Sequence, residues 1–90
     1  MDTTDKTYEG WANRATWNVY LWLNNDEPSY RHLQEFLKSN KTRITPKIAC
    51  GYCTDIFRSM TPDRCKLSEV VWVEIAAAME TDRLEALRYA

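Results

Sequence analysis

The run Trp11-Ala12-Asn13-Arg14-Ala15-Thr16-Trp17-Asn18-Val19-Tyr20-Leu21-Trp22-Leu23-Asn24-Asn25-Asp26-Glu27 decides how this chain folds, because two periodicities compete in it. Asn13 suits a helix N-cap: its short side chain can accept from a backbone N–H that the first helical turn leaves unpaired. Asn24-Asn25 suit a helix end, so the run reads as a helix over residues 14–24. Trp17, Val19, Leu21 and Leu23 also alternate with Thr16, Asn18, Tyr20 and Trp22, as residues 16–23 of a half-buried strand would. The first reading makes the domain all-α and is taken as primary. The second makes it α+β.

The rest of the chain is helical by pattern. Pro28-Ser29 open a helix to about Ser39, with Tyr30, Leu33, Phe36 and Leu37 on one stripe and Asn40 as the stop. Thr45 caps the next helix and Pro46 takes its first position, where a missing N–H costs nothing. Ala49, Cys53, Ile56, Phe57 and Met60 recur there at the spacing of a buried face, and Gly51 weakens the helix by about 1 kcal/mol against alanine. A turn at Thr61-Pro62-Asp63 precedes a helix opened by Ser68-Glu69, whose Val71, Trp72, Ile75, Ala76 and Met79 face inward. The run Ala76-Ala77-Ala78 favours helix over strand. Thr81 or Asp82 then caps a last short helix carrying Leu84, Leu87 and Tyr89. The expectation is a compact single domain of four to five short helices over residues 10–90, behind a mobile polar tail at residues 1–9.

With 90 residues and 44% apolar content, the chain supports one modest core and one working surface. Twelve Lys and Arg against 13 Asp and Glu give a net charge of −1 and no dense basic block, so nucleic acid is not favoured as a partner. The acidic excess needed to mimic DNA is missing too. No apolar run of about 18 residues is present, so no membrane span is expected, and the polar N-terminus lacks the hydrophobic stretch of a signal peptide. Three cysteines, an odd number, fit a reducing compartment, so the expected location is the cytoplasm.

The block from Trp11 to Glu27 resembles the N-terminal signature of small uncharacterised proteins of bacteriophages and mobile elements, roughly W-x-N-x-x-T-W-N-V-x-L-W-x-x-N-D-E. The block from Glu69 to Ala76 resembles their second motif, V-D-W-x-E-I-A, although here no acid adjoins Trp72. The two blocks together span 25 residues. It implies a helical fold in which the signature is the central packed element and its tryptophans are structural, and it implies no chemistry.

The candidate functional groups fall into four sets. Cys50-Gly51-Tyr52-Cys53 with Cys65 and His32 supply the donors of a Cys3His zinc site. Against that, a helix places Cys50 and Cys53 on one face as small buried residues, and no second close ligand pair exists. Asp26-Glu27, with Asp55 or His32, supply a magnesium or acid–base pair. Their alternative role is to complement the positive end of the helix that follows. Asn13, Arg14, Thr16 and Asn18 form a polar cluster around Trp17, suited either to a ligand or to capping and backbone satisfaction. Finally, the aromatic surplus exceeds what one stripe of a helix can bury. Trp17, Tyr20, Trp22 and Leu23 point around most of its circumference, which leaves anchors for a protein interface or a homodimer.

No nucleophile with a partner and no phosphate loop is present, so an enzyme is not expected. The leading expectation is an accessory protein that binds a host or phage protein through Arg14, Tyr20, Trp22, Asp26 and Glu27, inhibition of a bacterial defence system such as CRISPR interference being one instance. The alternatives are a small zinc-stabilised or nucleic-acid-associated module built on His32, Cys50, Cys53 and Cys65, and a homo-oligomeric structural or assembly protein.

Overall fold

Asn13 opens α1 (Arg14–Asn25) from an extended backbone, its Oδ1 accepting from the Thr16 N–H at 2.9 Å. In the computed structural model, which describes residues 8–88, the ambiguous run is helical throughout. The strand reading of residues 16–23 fails on its own pattern. Ala15, Thr16, Val19 and Leu23 are buried at helical spacing, whereas Trp17 and Leu21, which alternation would set beside Val19, stay half-exposed on the outside.

Asp26 joins two helices. Its backbone N–H reaches back to the Trp22 carbonyl at 3.4 Å, and its carboxylate accepts from the N–H and hydroxyl of Ser29 at 3.3 and 2.8 Å. It is therefore both the last cap of α1 and the first cap of α2 (Glu27–Ser39), which starts one residue before the expected Pro28-Ser29 opening and holds Pro28 in its first turn. Leu33 and Leu37 of α2 are fully buried, while Tyr30, expected on the same stripe, is exposed.

Thr45 caps α3 (Pro46–Phe57) as its sequence requires, its hydroxyl accepting from the Ile48 N–H at 3.2 Å. The helix stops at Phe57, where Arg58 takes a φ of 70°, so Met60 lies outside the expected buried face and is exposed. A single 3-10 turn (Leu67–Glu69) then leads into α4 (Trp72–Arg88), one unbroken helix of 17 residues. The expected break at Thr81 is absent. The Thr81 hydroxyl donates to the Ala77 carbonyl one turn back instead of capping a new helix, and neither glycine nor proline interrupts the run.

These four helices account for the regular structure, and no strand occurs among the described residues. α4 packs against α3, α2 and α1 in turn, and its Ile75 and Met79 meet Val19, Leu23, Leu33, Leu37 and Cys53 in one core. Each such fully buried aliphatic contributes about 2 kcal/mol of transfer free energy. Of the expected N-terminal tail, residues 1–7 lie outside the described residues. Tyr8 and Glu9 belong to a turn: Tyr8 and Trp11 exchange two backbone hydrogen bonds at 2.7 and 2.8 Å around Gly10, whose φ of 88° favours glycine. No helix among the described residues is long and apolar enough to cross a membrane.

Candidate functional site

The polar residues of the first block hold a loop in place. Asn18 is fully buried on α1. It accepts from the Thr61 hydroxyl at 2.5 Å and donates to the Asp63 carboxylate at 2.9 Å. The same carboxylate oxygen accepts from the Trp22 indole N–H at 3.1 Å, and these two donors keep the Asp63 carboxyl below the usual carboxylate range. Thr61 closes the loop on itself, accepting from the Cys65 N–H at 3.1 Å while its own N–H donates to the Cys65 carbonyl at 2.9 Å. Arg64, within this turn, has a φ of 68°, a strained value for a residue with a side chain.

The block fixes the start of α4 as well. The Thr16 hydroxyl donates to Asn13 Oδ1 at 2.7 Å and accepts from the Val71 N–H at 2.9 Å, while Asn13 Nδ2 donates to the Glu69 carbonyl at 2.9 Å. Glu74 of α4 accepts from the Ala12 N–H at 2.9 Å. Asn13, Thr16 and Asn18 thus bind the chain's own backbone and loop, as the capping alternative expects.

The aromatic residues divide into two groups. Trp11, Tyr20 and Trp72 pack against the core, Trp11 and Tyr20 with ring centroids 5.3 Å apart. Tyr20, expected as an exposed anchor, is instead tied to α4 by a hydrogen bond from its hydroxyl to Asp82, and burial followed by that carboxylate pushes its phenol far up from the usual value. Trp17, Leu21 and Trp22 are half-exposed and do not join the core. Tyr8 leans on Trp17 with centroids 4.7 Å apart.

Leu21 is the ridge between two shallow grooves. One, of 320 Å³, runs along Trp22, Asn25 and Asp26; the other, of 330 Å³, runs along Trp11, Trp17 and Asn24. Arg14 stands exposed one turn before Trp17, its guanidinium donating to the Cys65 sulfur at 3.1 Å. Trp17 and Leu21 were not singled out as binding residues from the sequence. Their spacing of four, on the side of α1 opposite Ala15, Val19 and Leu23, is the signal that identifies them once the helix is settled.

The metal set does not assemble. Cys53 is buried in the core, and its thiol is pushed up to about 12 by burial and then by the neighbouring Cys50. Cys65 lies under Arg14, Cys50 faces Thr54, and His32 Nδ1 meets the Tyr52 hydroxyl at 2.8 Å. Among the described residues no three His, Cys, Asp or Glu converge as a cation would require. One helix turn carries Cys50 and Cys53, but Cys65 is drawn away to the loop stapled on α1. The carboxylate pair is dispersed as well: Asp26 caps α2, and Glu27 forms an exposed ion pair with Arg31 at 2.7 Å.

The family model that matches is that of a family of unknown function, DUF7249, over residues 4–87. The chain belongs to this family. No curated protein and no solved structure matches it. The DUF7249 match takes in both sequence blocks, the stapled loop and all of α4 but Arg88, so it runs through the four helices and is not confined to the first block.

Proposed function

We propose that this chain acts by binding another protein through the outer face of α1, with Trp17, Leu21 and Trp22 as anchors and Arg14 and Asp26 at the two ends. One observation carries the reading. Three large apolar side chains stand outside the core on a helix whose polar residues hold it rigid. Tryptophan gives a large contact area for few rotatable bonds, and fixing Trp22 through Asp63 removes ordering cost before a partner arrives. The resemblance to phage and mobile-element proteins supports a host protein in the cytoplasm as the partner, with a component of a bacterial defence system as one such target.

The test is affinity capture from host lysate with four chains in parallel: the native sequence, Trp17→Ala, Leu21→Ala and Tyr20→Phe. A stoichiometric partner kept by Tyr20→Phe and lost by a folded Trp17→Ala establishes the face. Retention of the partner by Trp17→Ala and by Leu21→Ala overturns it.

A further inference from the structure

The net charge of −1 conceals an uneven distribution. From Lys38 to Lys66 stand seven Lys and Arg against two Asp, and the rest of the chain is correspondingly acidic. No dense basic block appears in the sequence because α3 divides these charges into two groups. Lys38, Lys41, Arg43 and Lys47 lie on the last turn of α2, the connection and the first turn of α3. At the far end Arg58 closes α3, and Lys66 returns beside it: Met60 and Lys66 form a backbone bridge, and the Leu67 N–H donates to the Ser59 carbonyl at 2.9 Å. All six are exposed, and among the described residues none of them forms an ion pair. The acids nearby are engaged or marginal. Asp63 is turned to Asn18 and Trp22, Glu80 beside Arg43 is paired with Arg83, and Asp55 sits at the edge of the exposed face of α3.

Lys47, Gly51, Thr54 and Arg58 join the two groups at helical spacing, all of them exposed, with Ala49, Tyr52 and Cys53 buried on the opposite side. Gly51 is the informative residue. Glycine is the poorest helix former after proline, and nothing inside the fold requires it, since a Cβ there would meet no atom within 4 Å. Its effect is outward: it leaves a smooth middle between basic ends about 17 Å apart, over which another backbone can approach closely.

We propose that this side of α3 binds the phosphate backbone of double-stranded nucleic acid without reading its sequence. The strip has no aromatic or large aliphatic anchor of the kind that holds a protein partner. It has nothing apolar to insert into a membrane surface and no exposed ring on which an unpaired base could stack. A regular array of phosphates needs none of these, because Lys, Arg and Thr side chains are its ordinary partners. The acidic remainder of the chain is screened beyond about 10 Å at 0.1 M salt. The contact uses none of Trp17, Leu21 or Trp22, so it and the protein-binding reading of α1 can fail independently.

The test is fluorescence anisotropy of a labelled DNA duplex of about 20 base pairs, titrated with the full chain. About five phosphate contacts lower the affinity about a hundredfold between about 50 and 150 mM salt, from about 1 µM to about 100 µM. Lys47→Glu is expected to weaken binding at about 50 mM salt by about tenfold or more, and Lys47→Ala to reduce the salt slope by about 1. Arg31→Ala, on α2, changes neither. Gly51→Gln raises the melting temperature yet weakens binding several-fold, whereas a glycine that served the fold would lower the melting temperature when replaced. A single strand of the same length binds several-fold more weakly than the duplex. Absence of binding at about 50 mM salt, an affinity that salt does not move, or Lys47→Glu indistinguishable from the native chain overturns the proposal. So does tighter binding to polyglutamate or to phosphatidylserine vesicles than to the duplex.

Discussion

Asn18 shows how one side chain joins two distant parts of the sequence. It is fully buried, and its amide is satisfied on both sides, by the Thr61 hydroxyl and the Asp63 carboxylate. Asn18→Ala leaves the buried Thr61 hydroxyl without its acceptor, and a loss of about 2 kcal/mol is expected, read as a lower urea midpoint. Because the two residues share one bond, adding Thr61→Val costs less than the sum of the single changes, which a double-mutant cycle measures. At Glu80 the Arg83 side chain first, then the Ile44 N–H, hold the carboxyl down at about 2 against an ordinary 4.5. A depressed folded value means its stabilisation is complete above the ordinary value and lost as pH falls from 4.5 towards about 2. Glu80→Gln is therefore expected to flatten the acid limb of a melting-temperature profile. A residual slope remains from Asp63, whose carboxyl is lowered in the same sense by Asn18 and Trp22.

At the scale of the helix, Asp26 is shared by two elements, ending α1 with its backbone and starting α2 with its carboxylate. Asp26→Ala is expected to destabilise by about 1 kcal/mol in urea, and Asp26→Asn, which retains an accepting oxygen, by much less. Two helix starts were legible in the sequence because a cap is a local event: Asn13 and Thr45 act where their residue types and spacing place them, whereas Ser68-Glu69, expected to open α4, lie in the 3-10 turn and the helix starts at Trp72. The helix that failed to end was not legible. Thr81 can cap a new helix or bond back within an old one, and only the tertiary packing of residues on both sides, Met79 and Arg83, decides between them. The site was legible in part for the same reason. That aromatic residues exceed the core's capacity is a matter of counting. Which of them remain outside depends on where α4 and the loop after α3 come to rest: Asp82 takes Tyr20 inward, and Trp17 is left out.

For the molecule as a whole, the question is whether the stapled loop and the core unfold as one body, and the three cysteines report on it. Cys50 is half-exposed on α3, Cys53 is buried in the core, and Cys65 is buried beneath Arg14 in the loop. In native buffer one thiol per chain is expected to react promptly with an aromatic disulfide reagent, Cys50, because Cys53 is screened by the packed helices and held protonated at neutral pH. Along a urea series, the remaining thiols measure separate parts of the fold. Within the turn from Thr61 to Cys65 only Cys65 joins the hydrophobic core, which alone would let the turn open early. Its bonds to Asn18 and the attachment of Val71 to Thr16 run through buried groups of α1, however, and breaking them strands polar atoms in the core. Cys53 and Cys65 are therefore expected to become reactive at the same urea concentration, matching the loss of helical circular dichroism. Peptide mapping of the labelled chain separates the two sites. Labelling of Cys65 well before Cys53 would mean that the loop opens on its own, and the α1 face would then lose the support that fixes Trp22 through Asp63.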